Sequence, residues 1–373
     1  MKKVALVIHS LDVLFAPEGV KGGANILNLA LLSALANHPM VELTLITLVG
    51  QNRQVAGVAH YFYFDKSIYT DKAYVLDQIS AFLAENLHDS VLFSDVIAPF
   101  GQVLLQSHSI AHRRAMEPWW IRPLTSIFSK KRHQAQLAAM GDVANRQFFT
   151  VSQVIKEDYV RHFGLDANNV HVAYPGVSMP INSEPAPSLQ SIEHTAKPFT
   201  FGMVNTSSLN KGGWLFLLSL AWLKFSGQRF SVVMVHPKIA KDLFTKGLII
   251  ALGLQSYITI LPFQKEMATF YAEIDALVLP SLNEAFGLVV TEAMSHGVIP
   301  IVSSTAGAAE LIQQGETGFV FERRGVPIGQ LFKVFQTVLG LGYDELSSVK
   351  LQARKFAASF GWQQFTETII QQL

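Results

Sequence analysis

Glu284 and Glu292 stand in the run Pro280-Ser281-Leu282-Asn283-Glu284-Ala285-Phe286-Gly287-Leu288-Val289-Val290-Thr291-Glu292, with seven residues between them. The run follows a short apolar stretch, 276–279, and leads into a helix-period stretch over 288–296. A loop and a helix start are therefore expected at the carboxyl end of a buried strand. Anion sites form in such places, because the first backbone N–H groups of a helix are unpaired and its dipole favours negative charge. The amides of Phe286, Gly287, Leu288 and Val289 would face a phosphate. The two carboxylates would lie at different depths along one groove, placed to accept hydrogen bonds from sugar hydroxyls. On spacing alone the pair also suits a solvated surface face.

Asn210-Lys211-Gly212-Gly213 follows another apolar run, 199–204. A lysine there is a point charge suited to a leaving diphosphate in a site with little water, or an ordinary lysine at a helix start. Gly19-Val20-Lys21-Gly22-Gly23-Ala24 precedes the first expected helix. Without Cβ atoms, the amides at Gly22 and Gly23 approach a diphosphate closely, though a tight turn would use the same residues. His108, in Gln106-Ser107-His108-Ser109, follows a strand expected over 103–106, with His112 four residues on; a lone histidine in such a place is as readily structural. Between Arg113 and Arg132 lie six cations (Arg113, Arg114, Arg122, Lys130, Lys131, Arg132) against Glu117, with Trp119 and Trp120 interleaved. Such a basic-aromatic surface suits anionic lipid headgroups or an anionic acceptor, or a solvated loop with tryptophans packed beneath it.

The elements that must hold these residues come from a chain of 373 residues, long enough for two or three domains. With no cysteine it has no thiolate metal site, disulfide or thiol nucleophile, so its chemistry falls to carboxylates, histidines, hydroxyls, lysines and backbone dipoles. A net charge of +1 argues against a nucleic-acid-wrapping protein. Half the residues are hydrophobic and only 15% charged, yet no apolar stretch approaches the roughly 20 residues of a membrane span. After Met1-Lys2-Lys3 the apolar run 4–8 is too short for a signal-peptide core, so a cytoplasmic location is expected, with peripheral contact at the membrane face if 113–132 docks there. No G-x-G-x-x-G follows 4–8 and no G-x-x-x-x-G-K-[ST] occurs, which removes the main support for NAD enzymes and P-loop NTPases. There is no Asp-x-Asp metal motif.

Continuous apolar runs of strand length alternate with helix-period segments, the pattern of parallel sheets covered on both faces. Strands are expected over 4–8, 41–49, 91–93, 103–106 and 148–151, with a helix over 25–36. Five prolines between 175 and 198 mark a linker. The pattern then restarts, with strands over 199–204, 230–235, 257–261, 276–279, 300–303 and 318–321, and helices over 214–225, 240–252, 265–274, 288–296 and 308–313. The expected organisation is a first Rossmann-like domain over 1–177, a linker over 178–198, a second Rossmann-like domain over 199–350, and a helical segment over 351–373 packing back toward the first.

From Pro280-Ser281 through Glu284-Ala285-Phe286-Gly287-Leu288, Glu292-Ala293-Met294, Gly297-Val298-Ile299-Pro300, Gly307, Glu310 and Gly315-Glu316-Thr317-Gly318, the chain resembles the retaining glycosyltransferases of family 4. The resemblance implies an α/β GT-B fold, two doubly wound parallel-sheet domains facing a cleft. The implied activity is transfer of a sugar from a UDP-, GDP- or ADP-sugar to a glycan, lipid-linked or small-molecule acceptor, with retention and without a cofactor or metal. It assigns Glu284 to the donor sugar, Glu292 to the ribose hydroxyls, Lys211 and the glycine loop to the diphosphate, and His108 to the donor side. Met203-Val204-Asn205-Thr206 stands where the family has Gly-Arg, so a second cationic clamp is absent from that position. The readings to be separated from transfer are an epimerase-like sugar-nucleotide enzyme and a non-catalytic sugar-nucleotide-binding protein.

Overall fold

The structure, a computed structural model, describes residues 2–10, 23–49, 54–63, 81, 85, 90–93, 103–106, 147–180, 198–204, 211–323 and 326–372. The chain divides into two compact units, Met1–Pro175 with Trp362–Leu373, and Gly176–Gly361. Most of 178–198 lies outside the described residues. No helix among the described residues is long and apolar enough to cross a membrane.

The first unit is built on β1 (Lys2–Ser10), α1 (Gly23–Ala36), β2 (Val41–Val49), β3 (Val58–Tyr63), β4 (Ser90–Phe93), β5 (Val103–Gln106), β6 (Gln147–Thr150), α2 (Gln153–Phe163) and β7 (Val170–Val172). The strands form one parallel sheet in the order β3-β2-β1-β4-β5-β6-β7. Val4 to Ile8 are buried, as a strand covered on both faces requires. Ser152 caps α2, its hydroxyl accepting from the Ile155 amide at 3.3 Å. A final helix, α9 (Trp362–Ile370), packs against α1.

The second unit runs β8 (Phe199–Val204), α3 (Gly213–Phe225), β9 (Phe230–Val235), α4 (Leu243–Ala251), β10 (Ile258–Leu261), α5 (Ala268–Glu273), β11 (Ala276–Leu279), α6 (Leu288–Ser295), β12 (Ile299–Ser303), β13 (Phe319–Phe321), α7 (Pro327–Gly340) and α8 (Tyr343–Ala358). Its parallel sheet has the order β10-β9-β8-β11-β12-β13, so the direction of winding reverses between β8 and β11. Strands on either side of such a reversal send their following loops apart, which opens a crevice at their carboxyl ends. Leu215, Phe216, Leu217, Leu220 and Leu223 of α3 are buried with Phe201 and Phe335, whose rings lie 4.5 Å apart, in the core beneath that crevice.

The opposite, amino end of the reversal is clasped by Asp275. Its carboxylate accepts from the Thr200 amide (2.9 Å) and the Lys350 ammonium (2.7 Å), its own amide donates to the Thr200 carbonyl (2.8 Å), and its carbonyl accepts from Ile299 (3.0 Å). One residue thereby joins β8, β11, β12 and α8.

The 240–252 helix of the sequence reading divides into a short 3-10 turn, Ile239–Lys241, and α4. Asp242 makes the break: its carboxylate accepts from the Thr245 amide (3.0 Å) and hydroxyl (2.8 Å), which starts α4 afresh, and it meets His236 Nε2 at 3.0 Å. Burial alone would raise this carboxyl, but the Thr245 donors and His236 outweigh it and hold it below its ordinary value. A depressed carboxyl adds stability above its unfolded pKa and loses it as the pH falls through the folded one. Asp242→Ala is therefore expected to cost about 1 kcal/mol at pH 7, as for other lost caps. In urea titrations at stepped pH the gap between the two proteins should close below the ordinary carboxyl range; a gap constant down to pH 2 would contradict this.

Candidate functional site

The site is built where β8 and β11 end. β11 is buried along its whole length, and the loop that follows is stitched to the loop after β12. The Ser281 carbonyl accepts from the hydroxyls of Ser303 (2.6 Å) and Thr305 (2.9 Å), the Gly307 amide donates to the Glu284 carbonyl (3.0 Å) and the Ala308 amide to the Phe286 carbonyl (2.8 Å). Glu284 is thus fixed at its backbone by a neighbouring strand's loop, with its side chain left to act.

Gly287 then turns the chain into α6 with φ +102, a left-handed conformation, and a Cβ there would come within 2.7 Å of the Leu279 side chain. The first amides of α6 belong to Leu288 and Val289, whose i−4 partners lie outside the helix; the amide of Val290 turns back onto the Gly287 carbonyl at 2.9 Å. Phe286 itself is buried.

From the other side of the reversal, Lys211 and Gly212 open α3. Gly212 has φ +73, and a Cβ on it would fall 2.0 Å from the Pro280 carbonyl oxygen, so the start of α3 is pressed against the first residue after β11. This brings two helix N-termini to adjacent strand ends. Between them the Lys211 ammonium forms a salt bridge with the Glu284 carboxylate, and the Ser281 hydroxyl lies 3.5 Å from the same carboxylate oxygen. The pair is partly shielded, the glutamate side chain 15% exposed and the lysine 31%.

Glu292, just over one turn into α6, is held differently. The Tyr271 hydroxyl of α5 donates to its carboxylate at 3.0 Å, and His296 lies with its ring centroid 4.8 Å from that of Tyr271. Burial pushes the Glu292 carboxyl above its ordinary range, while the Tyr271 hydroxyl and His296 draw it part of the way back. The structure therefore joins Lys211, Glu284, Gly287, Leu288 and Val289 in one cluster and gives Glu292 a partner of its own. Tyr271 carries no signal in the sequence, since the bond spans 21 positions across two helices.

A further cation reaches the same end of the sheet. Arg323, just past β13, is 9% exposed, donates its amide to the Ser304 hydroxyl (3.1 Å) and places its guanidinium 5.5 Å from the ring centroid of Trp214 in the first turn of α3. Thr206 and Asn210 lie outside the described residues, as do His108, Gly22 and the 113–132 cluster; Gly23 is the first residue of α1.

Residues 188–327, which contain every residue of this cluster, match the model of the family described as Glycosyl transferases group 1. The match falls within the second unit. Among curated relatives, a D-inositol 3-phosphate glycosyltransferase of Paenarthrobacter aurescens is 25% identical over 217 residues, 56% of this chain and 52% of the relative. One of Mycobacterium tuberculosis strain F11 is 29% identical over 122 residues, 32% of this chain and 25% of the relative. The chain thus spans about half the length of the first of these relatives, or less.

Solved structures share the fold over the length of the chain. WaaG, a glycosyltransferase involved in lipopolysaccharide biosynthesis, superposes with a TM-score of 0.73 at 17% identity over 98% of each chain. Sucrose-phosphate synthase of Thermosynechococcus elongatus gives 0.74 at 18% identity, over 100% of this chain and 98% of that one. Anabaena HepE in complex with UDP-glucose gives 0.70 at 16% identity, over 100% and 99%. The fold is the α/β GT-B fold, as the motif resemblance implied.

Proposed function

We propose that the chain is a glycosyltransferase that moves a sugar from a nucleotide-diphosphate sugar to an acceptor hydroxyl, with retention of anomeric configuration. The observation that carries this reading is the Lys211–Glu284 salt bridge set between two helix N-termini at the winding reversal. An ammonium and two sets of amide dipoles make a positive seat for a diphosphate, and a carboxylate beside it faces the sugar that the diphosphate carries. The names of the inositol phosphate glycosyltransferases and the UDP-glucose bound to HepE support the same class of donor.

In this reading the acceptor oxygen bonds to the anomeric carbon as the bond from that carbon to the phosphate oxygen breaks. The acceptor's proton passes to the departing phosphate. Lys211 and the α6 amides take up the charge that grows on the diphosphate, and Glu284 sits against the positive charge that develops on the sugar. The positive end comes from the protein itself, so no metal or cofactor is required. Glu292, His108, Gly22 and Gly23 keep the donor-side roles that the family resemblance gives them, and a glycan or lipid-linked acceptor suits the basic 113–132 segment.

A thermal-shift panel of UDP, GDP, ADP and their sugars tests the seat. One base should raise Tm, since a ligand at 100 times its Kd stabilises by about 2.7 kcal/mol. Lys211→Ala should weaken that nucleotide's binding by about tenfold, the loss of one charge-assisted bond. A panel with no shift, or an unchanged Kd in the variant, would overturn the assignment.

A further inference from the structure

α4 is apolar on the side that faces water. At 100° per residue, Leu243, Phe244, Gly247, Ile250 and Ala251 share an arc of about 120°, and all five are exposed, the three large side chains at 76%, 60% and 62%. The opposite side carries the buried Thr245 and Ile249. A helix of this composition is ordinarily covered all round, and contiguous exposed apolar side chains mark a contact surface. Phe225, 79% exposed, sits at the carboxyl end of the same helix: its neighbour Lys224 donates to the Leu252 and Gly253 carbonyls (3.3 and 2.8 Å), with the Phe225 ring centroid 6.0 Å from that ammonium.

Three lysines of the segment 237–251 lie beside this surface. Lys238 and Lys241 are exposed just before α4, and Lys246 is on its flank, its ammonium 3.4 Å from the Ala240 carbonyl. The one carboxylate in the segment 237–251, Asp242, is engaged by Thr245 and His236. A nine-residue helix is about 14 Å long and about 10 Å across, far short of the roughly 800 Å² per partner of a standard protein interface. It does match the insertion of a few apolar side chains, about 5–10 Å deep, beneath headgroups that pair with surrounding lysines.

We propose that α4, with Phe225 at its end, is a docking surface for an anionic lipid bilayer, a contact separate from the 113–132 segment. The full chain would be co-sedimented with vesicles of phosphatidylcholine alone and of phosphatidylcholine mixed with phosphatidylglycerol, whose anionic headgroups attract surface lysines. The expected result is binding to the anionic vesicles only, reduced at least tenfold by Leu243→Glu with Phe244→Glu, and severalfold by Lys238→Glu with Lys241→Glu. All four side chains are exposed, and an unchanged far-UV spectrum and melting temperature would show that the variants fold. No pelleting of the parent protein, equal binding by parent and Leu243→Glu/Phe244→Glu, or a concentration-dependent dimer that this pair abolishes without vesicle binding would each overturn the proposal. Nucleotide binding enters none of these readouts, so the lipid surface and the transferase reading fail independently.

Discussion

Glu284→Gln is expected to leave the second unit folded and its nucleotide diphosphate bound, yet to lower kcat for sugar transfer by about 100- to 1000-fold, the cost of removing one preorganised electrostatic group (~2.7–4 kcal/mol). The amide has the shape of the carboxylate and keeps an oxygen for the Ser281 hydroxyl, and the bond from the Gly307 amide to the backbone carbonyl of residue 284 does not involve the side chain. What it loses is the negative charge that the proposed mechanism sets beside the sugar. Lys211, relieved of its carboxylate partner, would bind the product diphosphate no less tightly than before. The split is therefore diagnostic: kcat falls while the diphosphate Kd holds. Initial rates with a labelled donor, read beside the thermal-shift Kd, measure both. Turnover that survives the change would remove Glu284 from the chemistry and leave a site that only binds.

The second large effect comes from a glycine. Gly212→Ala places a Cβ 2.0 Å from the Pro280 carbonyl oxygen in a residue already at φ +73. A left-handed alanine costs about 1–2 kcal/mol, and forcing the backbone of Pro280 away adds about 1–3 kcal/mol, as overpacking does elsewhere. Gly227 has nearly the same φ, +76, with nothing within 4 Å of its notional Cβ, so Gly227→Ala carries only the first of these costs. The difference between the two variants in urea midpoint isolates the contact. Gly212→Ala should also weaken nucleotide binding, because the strain is relieved by moving Lys211 away from Glu284. Equal destabilisation by the two alanines would mean that the α3 start and the β11 loop are not held together as described.

Much of this was legible in the sequence because buried parallel strands leave an unbroken apolar run: 4–8, 199–204 and 276–279 all read as strands and are strands. β3 was not, since His60, Tyr61 and Tyr63 interrupt any apolar run in an edge strand that is only half buried. The helix expected over 308–313 is instead a 3-10 turn, Gly307–Leu311, because the Gly307 and Ala308 amides are spent on the carbonyls of Glu284 and Phe286. The same bonds fix the site, so a local misreading and a functional contact have one cause. Lys211 and Glu284 were each visible from position and type; that they meet required the winding reversal between β8 and β11. Tyr271 on Glu292, and Arg323 over Trp214, belong to packing between distant segments and had no local pattern to betray them. The exposed face of α4 was hidden for the opposite reason: a mostly apolar helix reads as core, and only the exposure of Leu243, Phe244 and Ile250 shows that one side lacks a cover.

The Asp275 clasp sits at the end of β11 remote from Glu284, and three of its four bonds run to main-chain groups. Strand alignment in the second unit is thus settled without help from the residues that would touch a donor. On the proposed transferase reading, alterations to the loops after β8 and β11 would change donor contacts without touching the Asp275 bonds that align the strands. The constraint on any such alteration is local: it must keep the close approach of Gly212 to Pro280 and of Gly287 to Leu279.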